Sequence, residues 1–152
     1  MIFFQKIFLL CFAFFNLIVF FKALHECKVK KNAFGLTPPL TLIGAFVWAD
    51  AVVFGLFWTL ISLVSWWLDD WLLFLLIVSL FWVVRSVGET IYWFNQQFST
   101  IDRNPPEKHL FYFIFQNDSV WFVHQIIWQS ITVISLVASL YFGWAWLQAL
   151  PK

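Results

Sequence analysis

Charge is scarce in this sequence. Asp, Glu, Lys and Arg make up 11% of its 152 residues, where soluble globular proteins carry about 25%. That shortage excludes a soluble domain with an ordinary polar exterior. The net charge is only +1, with no basic cluster that would hold a phosphate backbone against salt, so nucleic acid is not an expected partner. Cysteine is equally rare: Cys11 and Cys27 would stand about 24 Å apart along a helix, beyond the reach of a disulfide. No CxxC or Cys/His metal spacing occurs, so the pattern indicates no metal and no identifiable cofactor. HExxH, GxSxG, P-loop and GxGxxG motifs are missing as well, and no enzyme class is signalled by motif. The first apolar run has only Lys6 as a basic start and no small-x-small cleavage site before His25, which favours a retained helix over a signal peptide.

What is present is apolar and aromatic: 62% of residues are hydrophobic and 23% are Phe, Trp or Tyr. Four stretches are long enough to cross a hydrocarbon core of about 30 Å. The expected fold is therefore all-α, a polytopic membrane protein in which residues 1–152 form one four-helix transmembrane bundle in the lipid bilayer. Its helices are expected at 2–24, 41–67, 71–97 and 119–148, joined by loops at 25–40 and 99–118. A short interfacial helix is expected near Leu110–Phe115, after Asn104-Pro105-Pro106-Glu107, which reads as a cap, a proline start and a capping-box acid. Lys22, Lys28, Lys30, Lys31, Arg103 and Lys108 gather on the two long loops, leaving Lys6 and Lys152 on the opposite side. The positive-inside bias then puts those loops in the cytoplasm and both termini on the non-cytoplasmic side.

Helix seams are legible from spacing. Gln5, Leu9, Phe12 and Asn16 share one face of the first helix. The second carries Gly44, Trp48, Ala51, Gly55, Trp58, Ser62 and Ser65 in steps of four and three, small residues that let helices approach closely in lipid. Thr37-Pro38-Pro39 would open that helix. The third is read as a line through Val78, Trp82, Arg85, Glu89, Tyr92 and Gln96, with Gly88 offering close approach. The fourth lines up Trp121, Gln125, Trp128, Thr132, Ser135 and Ser139, with His124 and Gln129 beside them. Trp66, Trp67, Trp71, Trp144 and Trp146 suit a headgroup belt around the Asp69-Asp70 turn.

Ionisable residues at membrane depth are costly and point to function. Arg85 and Glu89, i and i+4, can pair along their helix. Asp50 lies off the seam and, if its helix begins at 41, about 15 Å inside it. With Asn95, Gln96, His124, Gln125 and Gln129 these residues are expected to line one cavity opening to the cytoplasm. The primary reading is an accessory or ligand-binding bundle holding a lipid, a pigment or a partner subunit of a larger complex. The alternative is a small homo-oligomeric ion- or proton-coupled transporter or channel using Asp50, Arg85 and Glu89. A lipid-modifying site built from His124, Arg85 and Glu89 ranks third. Haem is disfavoured because His124 has no second inward-facing histidine, His25 and His109 being expected in or near loops.

Overall fold

A computed structural model describes residues 1–99, 104–109 and 111–150; Arg103, Leu110 and Lys152 fall outside them. Four α-helices carry the described chain, α1 at Phe3–Lys28, α2 at Trp48–Trp67, α3 at Trp71–Phe98 and α4 at Ser119–Ala149. Each is long and apolar enough to cross a membrane. Among the described residues there is no strand, only an isolated bridge between Leu36 and Val47. Two compact units form, one from Met1–Ile77 with Ala145–Lys152, the other from Val78–Trp144. The division falls within α3 and α4.

The first unit is built on the antiparallel α1–α2 pair. At the start of α1, the Ile2 amide donates to the Gln5 side chain at 3.0 Å. The helix then buries Leu9, Ala13, Asn16, Val19, Ala23 and Glu26, a stripe at three- and four-residue intervals. It runs past position 24 because its polar end is still supported: Lys30 pairs with Glu26 at 2.6 Å, i to i+4. On α2, Ala51, Gly55, Trp58, Thr59, Ser62 and Ser65 are buried. Small side chains let the two backbones meet, and aromatic rings pack beside the contact. Phe12 lies edge-on to Trp58 at 5.9 Å and to Phe74 at 6.1 Å, and Phe8 edge-on to Trp71 at 5.7 Å.

The start of α2 differs from expectation. Pro38–Ile43 is a 3-10 segment, not the first turn of α2, and Gly44 then adopts a left-handed conformation, φ 79°. Such a conformation costs glycine no Cβ clash, and it ends the helical run. The chain restarts as α2 only at Trp48, and the loop folds back to serve its exposed amides. Trp48 N–H donates to the Gly35 carbonyl at 3.1 Å and Ala49 N–H to the Ala33 carbonyl at 3.0 Å. Thr37 does not cap α2; its hydroxyl donates to the Ala45 carbonyl at 3.0 Å. Trp58 closes the loop from below, its indole N–H donating to the Ile43 carbonyl at 2.9 Å.

The Asp69-Asp70 turn ties several elements of this unit. Asp70 receives the Leu73 amide at 2.9 Å, capping α3, and the Trp146 indole at 2.7 Å. Asp69 pairs with the N-terminal ammonium and with Lys6, each at 3.1 Å. Hydrogen bonding to that ammonium, then to Lys6, holds its carboxyl below the usual range.

In the second unit α3 and α4 run antiparallel along a polar-aromatic seam. Trp82 stacks on Trp128 at 6.4 Å. The Thr132 hydroxyl donates to Ser86 Oγ at 2.8 Å. The face that α3 turns to α4 is thus Trp82, Ser86, Trp93 and Gln97; it shares Trp82 with the expected line through Val78, Trp82, Arg85, Glu89, Tyr92 and Gln96 and departs from that line at Ser86. No interfacial helix forms across 111–115. The described chain there has a 3-10 turn at Pro106–Lys108, then turns at 111–114, because two prolines and the bonding of Asn104 hold it in a compact loop. Asn104 carries that loop: its side-chain amide donates to the Tyr92 hydroxyl of α3, and its carbonyl receives the Trp121 indole of α4 at 2.9 Å.

Candidate site at the α3–α4 loop end

The late start of α2 decides where Asp50 stands. It occupies the first helical turn, and its carboxylate receives the Phe46 amide at 3.1 Å. Negative charge is favoured at a helix N-terminus, where exposed amides point outward. Asp50 belongs to the first unit, whereas the other proposed site residues belong to the second.

On α3, Arg85 Nη2 lies 3.0 Å from Glu89 Oε1, with side chains 17% and 15% exposed. The two charges satisfy each other along one helix face. Gln125 is engaged across the seam, its carbonyl oxygen receiving Gln97 Nε2 at 2.7 Å, while Gln97 also donates to the Trp93 carbonyl. Gln96 is buried, but Asn95 and Gln129 are exposed. Of the expected cavity set, only Gln129 lines the groove of about 290 Å³ that runs beside Val87, Thr90, Ile91, Thr132 and Val133.

The seam residues divide similarly. Gly44, Gly55 and Trp58 lie buried at the α1–α2 contact or its loop, and Trp82 and Trp128 stack together. Gly88 does not act as a packing glycine within the described chain: a Cβ there would meet no atom within 4 Å. It lies on the outer face because the α4-facing side of α3 passes through Ser86 and Trp93.

The densest chemistry surrounds His124. Its ring stacks on Trp93 at 4.5 Å and 17°, and Phe111 lies 5.8 Å away. His109, returned by the Asn104 loop, stands 5.0 Å from His124 at 65° and edge-on to Trp93 at 5.1 Å. Burial holds the His109 ring below its ordinary pKa, although a backbone hydrogen bond with Asn104 works the other way. Five buried side-chain nitrogen or oxygen atoms lack a hydrogen-bond partner among the described residues, and three are Trp93 Nε1, His109 Nε2 and His124 Nε2. Unmet buried donors and acceptors are unusual in native proteins and call for a cause. Their concentration in one cluster makes it the foremost candidate site.

Sequence spacing singled out His124 and passed over Trp93 and Gln97, and the expectation that no second histidine faces His124 is corrected by His109, whose ring stands 5.0 Å from it. Trp93 and Gln97 are i and i+4 and were legible as a stripe. His109 was not, because a proline loop, and no helical period, brings it to α4.

Comparison of the chain with family models, with curated proteins and with solved structures found no match.

Proposed function

We propose that this chain is a multi-pass membrane protein, a four-helix bundle with both long loops in the cytoplasm, that serves as an accessory or ligand-binding component. Membrane residence is supported by the outward faces of its helices. Phe3, Phe14, Phe21, Val53, Val84, Val133, Leu140 and Tyr141 are all well exposed, and only 11% of the most apolar window of α4 is buried. Apolar surface on that scale would drive a soluble monomer to aggregate, but it suits lipid. The orientation rests on the excess of Lys on the loops.

The single observation that carries the binding role is the Trp93–His109–His124 cluster with its three unmatched nitrogens. Groups awaiting partners are what a recognition site presents. The charges that a transporter would move are already engaged: Asp50 with the Phe46 amide, Arg85 with Glu89. In this topology the cluster lies at the cytoplasmic end of α3 and α4, where a headgroup, a cofactor or a neighbouring subunit can reach it.

Native mass spectrometry of protein released in mild detergent tests this role. A defined additional mass, or co-release with other subunits, is expected. A bare symmetric oligomer, together with ion or proton flux in liposomes that Asp50→Asn or Glu89→Gln abolishes, would replace this proposal with the transport alternative.

A further inference from the structure

The geometry points to His109 and His124 as an open two-imidazole site for a borderline divalent metal ion of the zinc class, with Trp93 donating to a ligand on the metal. This inference rests on the binding role proposed above and names the chemistry of the same cluster.

Three features of the cluster fit such an ion. Two imidazoles that share a tetrahedral ion through Nε2, at about 2.0–2.1 Å each, place their ring centres about 5 Å apart. The observed separation is 5.0 Å. Both Nε2 atoms are buried without a hydrogen-bond partner among the described residues, so neither is committed elsewhere.

The rings are also held. Metal-binding histidines commonly give their other nitrogen to a carbonyl or carboxylate, which fixes tautomer and orientation. His109 has such a bond with the Asn104 backbone, and Asn104 itself is anchored by Tyr92 and Trp121. His124 is pinned by the face of Trp93.

The third feature is the Trp93 indole. Its N–H can only donate, and it is buried without an acceptor. A water or an anionic oxygen on the metal would accept from it. Among the described residues no group of three or more His, Cys, Asp or Glu side chains gathers to hold an ion. Among the described residues, then, two imidazoles face the ion and water or an oxygen ligand completes its coordination, the arrangement of an open site.

The test is titration of the full-length, chelator-treated protein in neutral detergent with Co²⁺, followed by visible absorption and by displacement with Zn²⁺. One Co²⁺ per chain with the intense bands of four-coordinate cobalt is expected. His109→Gln and His124→Gln should each weaken binding at least tenfold, and His25→Gln should leave it unchanged. Trp93→Phe should retain the stoichiometry but shift the bands. Helical circular dichroism identifies folded variants; should His124→Gln misfold, His109→Gln, in a loop, decides alone. Absence of stoichiometric Co²⁺ binding to the unaltered protein, or binding that survives His109→Gln, would overturn the inference. Because the titration concerns this chain alone, its failure leaves a retained lipid or partner seen by native mass spectrometry intact, and the reverse also holds.

Discussion

Gly55 packs directly on the backbone of α1 at Asn16: a Cβ at position 55 would stand 3.1 Å from the Asn16 carbonyl oxygen and 3.0 Å from Phe20 N. Backbone atoms cannot swing aside as a side chain can. Gly55→Ala should therefore force α1 and α2 apart and cost about 1–3 kcal/mol, as overpacking does. Reversible denaturation in mixed micelles measures the loss. Wild-type stability in this variant would mean that the two helices do not meet at Gly55.

Gly88 supplies the opposite case, since nothing among the described residues approaches its open side. Gly88→Ala should be neutral or stabilise α3 by up to about 1 kcal/mol through helix propensity. A substantial loss, accompanied by a change of mass in detergent, would show that a second copy packs its helix against this face.

Arg85 and Glu89 depend on each other because both side chains are largely withdrawn from solvent. Glu89→Gln removes the carboxylate 3.0 Å from the guanidinium and should cost about 3 kcal/mol, whereas Arg85→Leu combined with Glu89→Leu should fall closer to neutral. The comparison is made by thermal unfolding of both variants in one detergent. Equal losses would mean that the pair is held by something other than mutual neutralisation.

The Asp69 tie should respond to acid. Its folded pKa is depressed by the N-terminal ammonium and Lys6, so at neutral pH the folded state binds this proton less readily than the unfolded state. The stabilisation is complete above the ordinary carboxylate value and is lost as pH falls through the depressed one. Because the pair is half exposed, the effect should be small and weaken with salt. Thermal melts of wild type and Asp69→Asn should converge below about pH 4 and separate above it. Melts that remain parallel across the range would show that the tie contributes nothing.

Much of the helical layout was legible without coordinates. Long apolar runs bounded by polar turns identify helices wherever their backbone amides bond locally, and Ala51, Gly55, Trp58, Ser62 and Ser65 of the small-residue rhythm of α2 are buried. The Leu9–Asn16 face of α1 followed from the same periodicity. On α3 the expected line and the face turned to α4 share Trp82 and diverge after it, at Arg85 against Ser86, and only the identity of the facing helix chooses between them.

By itself, then, the sequence determined that this protein is four apolar helices with little polar chain between them, since composition and period act over a few turns. Tertiary structure decided what the polar residues do. A left-handed Gly44 moved Asp50 from the expected helix interior to the first turn of α2. The Asn104 loop carried His109 to His124 across a stretch with no helical period. Both outcomes depend on one backbone conformation or one long-range contact, and neither leaves a repeating trace in the order of the residues.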